Sequence, residues 1–183
     1  ISYALKILRL DYSNSTISPD SLNRRGLFNS IYGYQDTNCY ETNGFNIQNL
    51  KLQASVNADF KDKAGSQVCA LESSGILAGY TNGARLSIQN ITLLEDTKIT
   101  TGSQTRKADN IYCGGLIGYA SGSQNITMSN CKIAGTVGKP VCLDTPGYAG
   151  GFIGYANLDN NCTLKIENTI KAPCVTGLKL TSK

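Results

Sequence analysis

The side chains able to do chemistry in this chain are few and scattered. Within its repetitive part the acids are Glu72, Glu95, Asp96, Asp109, Asp144, Asp159 and Glu167. Glycoside hydrolysis needs two carboxyl groups held at a set separation, and only Glu95 and Asp96 are adjacent, at the start of a polar stretch. There is no histidine, which removes the commonest general base, any Ser-His-Asp triad and any Cys-His pair. No phosphate-binding Gly-x-x-x-x-Gly-Lys-Ser/Thr loop occurs. Asp159-Asn160-Asn161 and the pair Asp59 and Asp62 offer oxygen ligands of the kind calcium takes. The Gly-Gly-x-Gly-x-Asp repeat of calcium-binding rolls is absent, so these are read as turns. The chain is therefore expected to be non-catalytic, with no cofactor and no metal site.

Seven cysteines remain as reactive groups: Cys39, Cys69, Cys113, Cys131, Cys142, Cys162 and Cys174. None stands in a Cys-x-x-Cys pair, and structural zinc sites need four Cys or His ligands at close spacing. So many cysteines suit an oxidising compartment. They are expected to form disulfides between neighbouring coils, with at least one left over because the number is odd. Asn14, Asn90, Asn125 and Asn161 each begin an Asn-x-Ser/Thr sequon and are candidate N-glycosylation sites. The cysteine count points to an extracellular or cell-surface location; four sequons are close to the number chance would give and add little alone.

The net charge of +4 is mild and spread along the chain. Arg24-Arg25 and Arg106-Lys107 are isolated basic pairs, not a clustered face with interleaved aromatics, so nucleic-acid binding is not expected. No apolar run approaches the roughly 20 residues that span a bilayer. Only 16% of residues are charged and 19 are glycine, a balance that favours β-structure over helix. The chain begins at Ile1 with no charged region leading into a long apolar run, and is expected to be an excerpt of a longer or processed protein.

The elements that must position these groups are repeats. Gly114-Gly115-Leu116-Ile117-Gly118-Tyr119 returns as Gly150-Gly151-Phe152-Ile153-Gly154-Tyr155, and a looser copy, Ser74-Gly75-Ile76-Leu77-Ala78-Gly79-Tyr80, precedes both. A second segment follows each copy, centred on Asn49, Asn90, Asn130 and Asn168. The unit is about 36–41 residues long, a period typical of solenoids and propellers. Alternation of Leu86, Ile88 and Leu93 with Ser87, Gln89 and Thr92 has the period of a strand. Asn-Gly and Ser-Gly turns join the two segments, and polar excursions from Glu95 to Asp109 and from Val137 to Gly147 read as surface loops. Gly26-Leu27-Phe28 with Gly33-Tyr34 is a degenerate further copy.

Stacked at the strand spacing, these units predict ladders. Tyr80, Tyr119 and Tyr155 form an aromatic ladder or, less favoured, a sugar-stacking platform. The asparagines form an amide ladder at a turn that needs a left-handed backbone. Gly75, Gly79, Gly115, Gly118, Gly151 and Gly154 mark a corner of close approach. The adjacent apolar pairs Leu116-Ile117 and Phe152-Ile153 either face two apolar layers or sit together at a bend.

The Gly-Gly-Leu-Ile-Gly-Tyr segment resembles the GLUG motif, a repeat of large surface proteins that include bacterial adhesin-like proteins and the regions accompanying some immunoglobulin-A-directed peptidases. The resemblance covers about residues 73–171. It implies a repetitive, extracellular, β-rich module without catalytic residues in the motif.

The expected fold is all-β, a right-handed parallel β-helix or solenoid-like repeat domain with long loops. Residues 1–45 would be an N-terminal β-segment or degenerate capping coil. Residues 46–172 would be a solenoid of about three and a half units, and 173–183 a C-terminal continuation. The expected function is a non-catalytic extracellular repeat module, part of a surface filament or adhesin stalk. Its partners would be further copies or neighbouring repeats of a longer chain, and possible glycans. The competing reading is a carbohydrate-binding or carbohydrate-degrading β-helix. A propeller is disfavoured because each unit shows two strand segments, not four.

Overall fold

A computed structural model describes residues 3–11, 23–33, 44–58, 72–83, 85–101, 111–160, 162–168 and 175–181. Among these residues the regular structure is entirely β. Strand β1 (Tyr3–Asp11) comes first, and four layers follow. The first layer holds β2 (Asn23–Arg25), β3 (Phe28–Tyr32), β4 (Gly44–Gln48) and β5 (Leu50–Ala58). The second holds β6 (Glu72–Gly75), β7 (Ala78–Asn82), β8 (Arg85–Gln89), β9 (Thr92–Leu94) and β10 (Lys98–Thr101). The third holds β11 (Ile111–Gly114), β12 (Ile117–Gly122), β13 (Asn125–Ser129), β14 (Lys132–Ala134) and β15 (Val141–Asp144). The fourth holds β16 (Tyr148–Gly150), β17 (Ile153–Leu158), β18 (Leu164–Glu167), β19 (Val175–Thr176) and β20 (Leu178–Thr181).

Every strand pairing is parallel, and each links a strand to its equivalent one repeat away. Three four-stranded sheets result, ordered β16-β11-β6-β2, β17-β12-β7-β3 and β18-β13-β8-β4. The fourth sheet is built on β5, which pairs with both β9 and β10. In the later layers that side of the coil is broken in two by a turn or excursion, at Glu95–Thr97, at 135–140 and at Gly177. Parallel pairing throughout is incompatible with the antiparallel blades of a propeller.

Two expectations are corrected here. Lys98–Thr101 and Val141–Asp144, placed inside polar loops by their composition, are strands of the fourth sheet. Each layer from the second onward therefore carries five strands, not two. These strands hold only two inward residues each, Ile99 with Thr101 and Val141 with Leu143, too short an alternation to register among threonines and lysines. In the first layer, Ser30 and not Tyr34 stands in register with Tyr80, and Tyr34 lies outside the described residues.

The layers enclose one apolar core. From the third sheet come Leu86, Ile88, Ile126 and Met128, and from the fourth Leu52, Leu93, Ile99, Ile133 and Leu143. Leu116 and Ile117 are both fully buried at the bend between β11 and β12, which settles their adjacency. The same core-facing columns continue into the fourth layer, where Leu164 and Ile166 are exposed.

This stacking makes a position-specific prediction. Ile88→Ala, in the middle of the column, is expected to cost about 3 kcal/mol because it opens a cavity. Ile166→Ala, at the open end of the same column, is expected to cost about 1 kcal/mol or less. Urea unfolding of the two variants against the parent chain measures both; equal costs would contradict the register.

Candidate functional site

The motif that organises the repeat builds a corner at which two backbones touch. Gly75, Gly114 and Gly150 end the strands of the first sheet in one column, which Gly26 just after β2 continues, and Gly79, Gly118 and Gly154 form a second column after the bend. A Cβ on Gly75 would lie 2.5 Å from the carbonyl oxygens of Ala78 and Leu116. One on Gly118 would lie 2.5 Å from the backbone nitrogen of Ser74, one layer back. One on Gly114 would overlap the Ile117 carbonyl outright. These glycines have ordinary φ values, so the reason for them is space and not left-handed backbone. Gly75 is in register with Gly114, and the second glycine of the pair, Gly115 or Gly151, is matched by Ile76 in the second layer. Backbone bonds from Ile76 N–H to Gly115, from Leu77 N–H to Leu116, and from Leu116 N–H to Phe152 carry the ladder through the bend.

Tyr80, Tyr119 and Tyr155 are in register in successive strands of the second sheet. Their ring centroids are 5.4 and 5.6 Å apart. Tyr112 and Tyr148 join from the first sheet: Tyr112 lies 4.9 Å from Tyr119 and 4.8 Å from Tyr155, stacked on the latter. The sequence motif contains only the first column, and the second was missed because Ser73 and Arg24 occupy its earlier positions. With a small serine there, the Arg24 guanidinium reaches over the Tyr80 ring, 3.8 Å from its centroid, and also meets the Tyr32 hydroxyl. Burial lowers the Arg24 pKa, against a raising influence from Tyr80, and the group stays cationic in the neutral range. Tyr80 is buried, and its hydroxyl is 2.8 Å from Ser121 Oγ and accepts from Asn82 Nδ2 at 2.7 Å. Exposure rises toward the last layer, where Tyr148 and Tyr155 are open to solvent.

The third ladder is amide. Asn49, Asn90 and Asn130 have φ values of 61°, 55° and 53°, the left-handed region that asparagine tolerates best among residues with a Cβ. Each donates its backbone N–H to the next layer, to Gln89, Ser129 and Glu167 respectively, and Asn90 Nδ2 donates to Asn49 Oδ1 at 3.0 Å. Asn168 follows Glu167 at the end of this column. Of the sequon asparagines, Asn90 is thus a ladder rung. Asn125 Oδ1 accepts from the Thr163 backbone N–H at 2.8 Å and from its hydroxyl at 2.9 Å, and both asparagines are exposed. Asn14 and Asn161 lie outside the described residues.

Cys113, Cys131, Cys142 and Cys162 are free thiols, while Cys39, Cys69 and Cys174 lie outside the described residues. Register is the reason no bridge joins neighbouring coils here: Cys113 stands against Ser74 and Ala149, and Cys142 against Lys98 and Lys179. Burial, with Glu72 and Asp144 nearby, pushes the Cys113 thiol far above its ordinary pKa. Burial likewise raises Cys131, whose Sγ donates weakly to the Ile88 carbonyl.

The carboxylates are spread over the layers. Glu72 is buried in β6, Glu95 and Asp96 flank Lys139 at 3.7 and 3.6 Å, Asp159 accepts from Ser123, and Glu167 pairs with Lys165 at 2.8 Å. Among the described residues no group of three or more Cys, Asp or Glu is placed to hold a metal ion, and no helix is long and apolar enough to cross a membrane. Comparisons with protein-family models, curated proteins and solved structures give no match.

Two predictions follow from this geometry. Gly118→Ala is expected to destabilise by about 3 kcal/mol, because a methyl group must displace backbone. Gly138→Ala, with open space around it, should change stability by no more than about 0.5 kcal/mol; thermal melts of both variants test the pair. Labelling with a maleimide at pH 7–8, read residue by residue, should modify part-exposed Cys142 and Cys162 in the native chain. Cys113 and Cys131 should label only on unfolding, and raising the pH through the ordinary thiol range should not release Cys113.

Proposed function

We propose that the stacked layers are the coils of a right-handed β-helix and that the chain is a non-catalytic, GLUG-like repeat module of the extracellular space or cell surface. Its role is structural, as part of a surface filament or an adhesin stalk. Its partners are further copies of the chain or neighbouring repeats. Right-handedness is the sense that parallel crossover connections strongly prefer.

The observation that supports this reading best is that identical residues stand in register between layers while the chemistry-bearing groups do not converge. Glycine, tyrosine and asparagine columns run along the stack. They serve the contact of one layer with the next, the property a rigid, extendable spacer needs. The acids are dispersed, and a thiol kept protonated by burial is a poor nucleophile.

One observation favours a second reading, a carbohydrate-binding surface. Tyr148 and Tyr155 are both exposed, with ring centroids 5.6 Å apart, and exposed rings stack on sugar faces. Polysaccharide titration of the chain against Tyr155→Ala, followed by tyrosine fluorescence, separates this role from a purely structural one.

The primary reading is tested by labelling intact source cells with a membrane-impermeant biotin reagent and quantifying the chain in the captured fraction. Capture at the level of known surface proteins is expected. A chain labelled only after lysis would overturn the surface assignment.

A further inference from the structure

Six of the chain's ten tyrosines form one unbroken cluster of touching rings. Tyr32 meets Tyr80 at 5.8 Å between centroids, Tyr80 meets Tyr119 at 5.4 Å, and Tyr119 meets Tyr155 at 5.6 Å, so the contacts cross all four layers. Tyr112 and Tyr148 lie alongside, 5.6 Å from each other. Rings at such separations are in van der Waals contact. With no tryptophan in the chain, these phenols are its best one-electron donors apart from thiols. Tyr119 is half-buried in an inner layer and touches Tyr80, Tyr112 and Tyr155. An oxidising equivalent that enters there can pass to any of the three.

The cluster is not uniform. The Arg24 guanidinium lies 3.8 Å from the centroid of the Tyr80 ring and 5.5 Å from that of Tyr32. A cation over a ring holds its electrons more tightly, so it opposes removal of one from Tyr80 or Tyr32. The Tyr80 hydroxyl is also held by Ser121 and Asn82. Oxidation is thereby directed to Tyr112, Tyr119, Tyr148 and Tyr155. The closest pair among these is Tyr112 with Tyr155, 4.8 Å apart and 21° from parallel. Tyr112 belongs to β11 and Tyr155 to β17, one layer on.

We propose that Tyr112 and Tyr155 are a site of oxidative modification: a haem peroxidase supplied with hydrogen peroxide joins them as dityrosine and staples the third layer to the fourth. Each phenol gives up one electron and its hydroxyl proton. The two phenoxyl radicals couple through ring carbons ortho to the oxygens, forming one C–C bond. The hydrogen on each of those carbons moves to oxygen as the rings regain aromaticity. The two electrons and two protons released reduce one hydrogen peroxide to two waters. The new bond closes a loop of one repeat and restricts the unfolded chain as a disulfide does. This inference needs only the ring contacts and goes beyond the surface role proposed above.

The test is peroxidase and hydrogen peroxide treatment of the full chain with its accessible thiols capped, followed by intact mass and fragment mapping. A monomer lighter by two hydrogen atoms is expected, with dityrosine fluorescence and a cross-link assigned to Tyr112 and Tyr155. Tyr112→Phe and Tyr155→Phe each keep the ring and lose the phenol, and each should abolish that cross-link. Circular dichroism checks that they fold, and either variant alone suffices. The oxidised parent should unfold at a higher urea concentration than the untreated chain, and the variants should gain nothing. Cross-links only between separate chains, a bond made through Tyr80 in place of this pair, persistence of the cross-link in a folded Phe variant, or an unchanged urea midpoint would each overturn the proposal.

Discussion

The structure depends on the contact of two backbones across a corner with no side chain between them. Gly75, Gly114 and Gly150 approach it from one side and Gly79, Gly118 and Gly154 from the other, at distances that leave no room for a methyl group. Because the first and second sheets meet this closely, Leu116 and Ile117 can both turn inward at the bend and be fully buried. The hydrogen-bond ladder runs unbroken around the corner, through Leu77, Leu116 and Phe152. A bulkier residue in either column would part the sheets and break the ladder over several layers, since each position is in register with its neighbours.

The other ladders follow from that geometry. Once the corner fixes the height of each coil, Tyr80, Tyr119 and Tyr155 must lie above one another at ring separations of 5.4 and 5.6 Å. Tyr112 and Tyr148 fill the space beside them, and where Ser73 interrupts the column, Arg24 extends over Tyr80. On the far side of the coil the turn is taken by Asn49, Asn90 and Asn130 in a left-handed conformation, each passing its backbone N–H to the layer above. The fourth sheet varies from layer to layer. There the uninterrupted β5 gives way to pairs of strands separated by anything from Gly177 alone to the stretch 135–140, and Lys139 on that excursion reaches back to Glu95 and Asp96.

Parallel stacking also makes each layer depend on its neighbours. A layer satisfies its backbone groups and its apolar columns only through the layers on either side. The interior positions of the second and third layers are buried, whereas the same positions in the fourth are open at Leu164, Ile166 and Leu180.

The repeat was legible from the sequence because it is written in residues that have no substitute. Only glycine fits the corner, and asparagine is favoured at the left-handed turn, so these recur at matching spacing and disclose the period, the parallel layers and the tyrosine column. Strands β10 and β15 were not legible. Lys98–Thr101 and Val141–Asp144 carry only a pair of inward residues each, and what makes them strands is pairing with β5 and with each other. The contribution of Tyr112 and Tyr148 was equally hidden, since their column holds Arg24 and Ser73 in other layers. Register places serine, alanine and lysine, and no second cysteine, opposite Cys113 and Cys142 in the adjacent layers. By itself, then, the sequence determined the period and the residues that repeat, because steric exclusion at a backbone contact acts on one position at a time. Only the tertiary structure decided which unlike residues meet across layers, because those contacts join positions with no common pattern along the chain.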